Sequence, residues 1–262
     1  MPSDRRAHRE QLRQEGRLRA QQTRAELGLG AGPIPDVFAI LEQQGVFLVR
    51  YPSGDPDLHA FYGAFENRSV VYVNSNESLG RQIFSAAHEL CHFKYDSRSL
   101  HQVRCNPGGD QEDEVEIIAD AFAGEFLMPE DRVRLEYYKR FGFRKPTERD
   151  VINLMQEFRV SYAAMAYAML KAGVIKTGGL WNTIRQLGSV ENHQALRGAL
   201  LRQGFSTDLI EPTPSRFPRV FLEAAISNFD EGIITWNKLE SLLEPWGKRP
   251  EDYDLRPHQE LD

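Results

Sequence analysis

The sequence predicts an α+β fold: a small mixed or antiparallel sheet packed on helices, followed by a mostly helical C-terminal half. Three observations predict it. Short strand-like runs cluster early, at Val46–Arg50, His59–Phe65 and Ser69–Asn74. The stretch Ile83–Tyr95, IFSAAHELCHFKY, reads as a buried helix, with no proline or glycine between Gly80 and its polar core. Beyond it, apolar residues recur at helical spacing, first in Glu114–Pro129 and then in most segments after Thr147.

The chain has 262 residues and a 41% hydrophobic content, enough for a sizeable core and too apolar for wholesale disorder. A net charge of −6 argues against general binding of nucleic-acid phosphates. No run approaches a membrane span. The polar, arginine-rich start has no apolar signal region. Two cysteines, Cys91 and Cys105, suit a reducing compartment, so a cytoplasmic location is expected.

Four regions are expected. Residues 1–30 form a basic arm in which seven arginines alternate with acids and Gly16. A polar helix or frayed tail is the preferred reading over an electrostatic arm for DNA or an acidic partner. Residues 31–145 hold the sheet and the helices packed on it. Pro33–Gln44 reads as a short helix ended by Gly45. Asn74, Asn76 and Ser78 are candidate caps for the Ile83 helix. Ser97–Gln111 reads as a polar loop. Residues 146–176 read as a helix-turn-helix-like pair, with a capping-box start at Thr147–Asp150 and a cap at Ser161. Its second helix, Tyr162–Lys171, offers only Lys171 as a basic group, so the pair is expected to pack or dock rather than read DNA. Residues 177–262 read as helices around Leu180–Leu187, Glu191–Gln203, Pro218–Phe229 and Trp236–Leu243, then a loose polar tail.

The chemistry concentrates in His88-Glu89-Leu90-Cys91-His92, an HExxH motif. Positions i and i+4 share a helix face, so two imidazoles can grip one Zn²⁺ ion. Glu89 sits where it can take a proton from the water that completes the coordination. The third ligand is expected to be Glu116, which interrupts the apolar run of Val115, Ile118, Ala119 and Phe122. Asp120, one turn on, is expected to hold the second ring nitrogen of His88 or His92. Tyr95 and His101 are candidate oxyanion donors. Cys91 raises a redox hypothesis, against which a small core thiol is preferred. His59 reads as a solvent-facing strand residue.

The pairing of Arg81–His92, RQIFSAAHELCH, with Glu116–Pro129, EIIADAFAGEFLMP, resembles the ImmA/IrrE metallopeptidases, and the likeness extends loosely from Pro33 to Ile175. The resemblance implies a zinc-dependent endopeptidase in which His88, His92 and Glu116 are ligands and Glu89 is the general base. It also implies a protein substrate, a helix-turn-helix repressor of the Cro/CI type, whose cleavage derepresses stress-response or mobile-element genes. Direct nucleic-acid binding and a membrane partner are not expected. Cys91 departs from the small residues common at its position, and Asp120 from a frequent asparagine. The rival reading is a non-catalytic zinc-binding regulatory protein acting on transcription.

Overall fold

Four strands form one sheet in the order β1-β3-β2-β4: β1 is Phe47–Tyr51, β2 Ala60–Phe65, β3 Arg68–Asn74 and β4 Gln102–Cys105. The computed structural model describes residues 2–55, 57–65, 68–96, 102–105, 114–216 and 218–257. β1 runs parallel to β3, with Phe47 opposite Val70. β2 runs antiparallel to both β3 and β4, so Ala60 faces Val73 on one side and Cys105 on the other. The sheet is therefore mixed, with β1 and β4 at its edges. Period-two patterning explains β3: Val71 and Val73 are buried, Val70 and Tyr72 half-buried. β4 corrects the reading of Ser97–Gln111 as loop throughout. Four residues are too few for alternation to show. The remainder of that loop lies outside the described residues.

Helix α2, Val37–Gln43, starts at Asp36, whose side chain accepts from the Phe38 and Ala39 amides, and ends before Gly45 at φ 81°. Helix α3, Leu79–Cys91, starts after Ser78, the last of the three expected caps, though the Ser78 side chain makes no capping hydrogen bond. It passes into a π-helical turn, His92–Asp96. Helix α4 is Glu114–Leu127 and helix α5 is Glu130–Phe141. α5 has no counterpart in the sequence reading.

Helices α6, Glu148–Phe158, and α7, Tyr162–Lys171, are the expected pair. Asp150 closes the capping box with Thr147, and Ser161 caps α7 through the Ala164 amide. Their apolar faces, Leu154, Met155, Phe158, Met165 and Met169 among them, are fully buried in the same core as the sheet and α3. A Cβ on Gly80 of α3 would lie 2.7 Å from the Ser161 amide nitrogen, so only glycine permits this approach.

Helix α1, Pro2–Glu26, is the polar helix of the two preferred readings rather than the frayed tail. Leu12, Gly16, Ala20 and Thr23 form a buried stripe at helical spacing, hidden in sequence among arginines. The stripe lies on α4. A Cβ at Gly16 would stand 2.3 Å from the Ile118 carbonyl oxygen, so Gly16 is the point of closest approach rather than a sign of looseness. Arg24, 4% exposed, donates to the carbonyls of Gly30, Gly32 and Phe126, tying α1 both to the glycine-rich connection toward α2 and to α4.

The C-terminal half is helical as expected: α8 Gly179–Leu187, α9 His193–Arg202, α10 Arg219–Asp230 and α11 Trp236–Leu243. The segment between α9 and α10 returns to the sheet. Leu79 donates to the Glu211 carbonyl at 2.9 Å, Thr213 to Ser75 at 3.1 Å and Arg216 to Arg50 at 2.9 Å. Buried Arg50 donates to Gln82 and Thr213 beneath this strap; burial, with Arg216 nearby, lowers its pKa to about 10. α10 and α11 enclose a separate small core of Ala225, Phe229, Leu239 and Leu243. Tyr253 packs against that core, so the tail is not loose at this point. Among the described residues no helix is long and apolar enough to cross a membrane.

Candidate metal centre

The last turn of α3 is almost wholly buried. His88 is 4% exposed, and Glu89 and His92 are fully enclosed. The helix delivers both imidazoles to one point, with their Nε2 atoms 3.1 Å apart. From α4, Glu116 brings one oxygen to 3.2 Å from His88 Nε2 and the other to 3.4 Å from His92 Nε2. Among the described residues these three are the group of donors that could hold a metal ion, all within 4.8 Å of one another. Donors about 2.0–2.1 Å from a tetrahedral ion stand about 3.3 Å from each other, which matches these separations.

The far side of each ring is fixed by an aspartate. Asp120 of α4 meets His88 Nδ1 at 2.9 Å, and Asp96 of the π-helical turn meets His92 Nδ1 at 2.9 Å. A ring that donates Nδ1–H to a carboxylate keeps a lone pair on Nε2. Two such lone pairs and a carboxylate then converge, an arrangement suited to a cation. Burial pushes the Glu116 carboxyl up, but hydrogen bonds and charge from His88 and His92 outweigh it and hold the group well below the usual carboxylate range.

The structure brings together His88, Glu89, His92, Glu116 and Asp120. Asp120 differs in one respect from the expectation: its side chain is 55% exposed, so it is not a carboxylate enclosed in the apolar stripe. Asp96 escapes the sequence reading. Its only signal is the i, i+4 distance from His92, in a stretch without clear helical patterning. Tyr95, a candidate oxyanion donor by sequence, is instead engaged by α1. Its hydroxyl lies 3.1 Å from the Arg19 carbonyl and 3.0 Å from Thr23 Oγ1. His101 lies outside the described residues. His59 is not solvent-facing: it pairs with Glu77 at 2.5 Å and lies 3.2 Å from Arg81. Cys91 is enclosed in the main core, and burial pushes its thiol up to about 12, as a small core thiol would be.

An HExxH helix, a carboxylate from a later helix and a small mixed sheet beside them form a site built to hold a metal ion, the arrangement of the metallopeptidase class. Residues 41–170 match the family model described as Peptidase M78, IrrE N-terminal-like domain, so this stretch of the chain carries a domain of that family. Comparison with curated proteins finds no match.

Proposed function

We propose that the protein is a zinc-dependent endopeptidase that acts in the cytoplasm on a protein substrate, a helix-turn-helix repressor of the Cro/CI type. The observation that carries the metal is the spacing of the His88, His92 and Glu116 donor atoms, 3.1–3.4 Å apart along each close pair. The repressor as substrate rests on the motif pair in α3 and α4, which resembles that of the ImmA/IrrE metallopeptidases.

His88, His92 and Glu116 would hold the ion, with Asp120 and Asp96 fixing the two ring orientations. Zinc, when bound, supplies a Lewis acid and lowers the pKa of water in its shell to about 7. Glu89 would take a proton from the attacking water and hand it to the leaving amine. Glu89 adjoins His88 in the buried last turn of α3. The sheet offers β4 as an edge on which an extended substrate segment can add by backbone hydrogen bonds, whereas Arg216 already bridges β1 at Arg50.

The non-catalytic reading, a zinc-binding regulator that acts by contact, would not require Glu89. Incubating the protein with a repressor from the same genome tests both. Fragments identified by mass spectrometry, abolished by chelator and by Glu89→Gln while zinc content stays near one per chain, are the expected result. An uncut repressor that still binds the zinc-loaded protein would favour the regulator.

A further inference from the structure

A cleft of about 440 Å³ opens between α1, α3, α4 and α7. This is within the size range of small-molecule sites. Its wall is apolar, with Phe84 of α3, Ile117 of α4 and Met128 just beyond the end of α4, and its rim is basic. Five cationic side chains against three carboxylates line it, a positive surplus in a chain whose net charge is −6. The cations come from three helices: Arg13 from α1, Arg81 from α3 and Lys171 from α7.

Their present partners differ. Arg81 lies 3.0 Å from Glu77, and Arg13 only 3.6 Å from Glu10. The Lys171 ammonium sits 5.6 Å over the Tyr167 ring and shares the field of Glu10 with Arg13, without an ion pair to any carboxylate among the described residues. Cation–π contact of this kind leaves an ammonium able to take an anion.

A second observation concerns Gly124. It lies inside α4 and also lines the cleft. Glycine in a helix interior is destabilising relative to alanine. A Cβ added there would meet nothing within 4 Å, and Gly124 is not among the positive-φ glycines. Neither packing nor backbone conformation asks for glycine at this position. What its absent side chain preserves is open space in the cleft. Local rules broken without a structural reason are characteristic of functional sites.

We propose that this cleft binds a small organic anion, its carboxylate or phosphate head set against Lys171 and Arg13 and its apolar body against Phe84, Ile117 and Met128. The proposal does not rest on the peptidase reading. Among the described residues the cleft shares Asp120 alone with the metal centre.

The test is calorimetric titration of the full chain with phenyl phosphate and with 4-phenylbutyrate, which separates the two head groups. Saturable one-to-one binding of either, weakening as salt rises, is expected. Gly124→Leu, which fills the cleft, should weaken it on the order of tenfold or more with the circular dichroism unchanged. Arg13→Ala with Lys171→Ala should weaken it by a similar factor, while Gly124→Ala, which adds one methyl, should raise the thermal midpoint. Equal binding of the neutral 4-phenylbutanamide would overturn the proposal. So would binding untouched by the double variant, or binding of an acidic amphipathic peptide with neither small anion.

Discussion

Arg19 of α1 places its guanidinium 3.8 Å from one oxygen of Asp96, while the other oxygen of Asp96 meets His92 Nδ1 at 2.9 Å. The same guanidinium lies 4.8 Å over the Tyr95 ring, whose hydroxyl returns to the Arg19 carbonyl. The N-terminal helix thus grips the turn that carries His92. Arg19→Ala should lower zinc affinity by about tenfold, since groups that orient a ligating histidine tune the metal this much. Arg19→Lys should restore most of it. Competition with a chromogenic chelator measures this, and an unchanged affinity in a folded Arg19→Ala protein would refute the link.

The two aspartates should not be equivalent. Asp96 is 11% exposed and Asp120 55% exposed by side chain. Water can replace part of what Asp120 supplies but little of what Asp96 supplies. Asp96→Asn is therefore expected to weaken zinc binding toward the upper end of about 10–100-fold, and Asp120→Asn toward the lower end. Equal losses, read in the same chelator assay, would mean that exposure does not set the contribution.

Gly16 and Gly124 predict opposite signs for one substitution. At Gly16 a new Cβ would collide with the Ile118 carbonyl at 2.3 Å and the Ala121 Cβ at 2.9 Å. Overpacking of this kind costs about 1–3 kcal/mol, more than the roughly 1 kcal/mol that alanine gains over glycine in a helix. Gly16→Ala should lower the midpoint of urea unfolding. A rise would show that α1 does not rest on α4 at this point.

Cys91 should be silent in the native state. It is 0% exposed and belongs to the main core. Labelling with an aromatic disulfide and then peptide mapping should leave it unmodified until denaturant unfolds the chain. Peroxide should then inhibit wild type and Cys91→Ala alike. Selective protection of the alanine variant would revive a redox role for this thiol.

Much of the centre is legible in the sequence because its chemistry repeats with the helix. His88 and His92 are one turn apart, and Glu116 breaks an apolar run where a partner is needed, while Asp120, read by the same rule, meets His88 from a half-exposed position. The supporting structure is less legible. Asp96 sits on a π-helical turn, whose spacing no heptad-like pattern announces. β4 has four residues and pairs with a strand about forty positions earlier. α5 buries Val133 and Tyr137 but carries charge at most other positions, so its apolar face is only one residue wide. In α1 the contact is made by small residues, Gly16 and Ala20, which carry no hydrophobic signal in proportion to how closely they let two backbones approach. Sequence patterns report side chains that fill space; the seating of α1 depends on side chains that are missing.

The close seating of Gly16 on Ile118 also bears on where the working unit begins. The family match starts at residue 41, well after α1 has ended. A fragment trimmed to that match would lose the lid over Phe122 and Ile118, baring a greasy flank on the very helix that presents Glu116. Such a fragment should clump, and its inertness would say nothing about the chemistry, only that a wall of the building had been left behind.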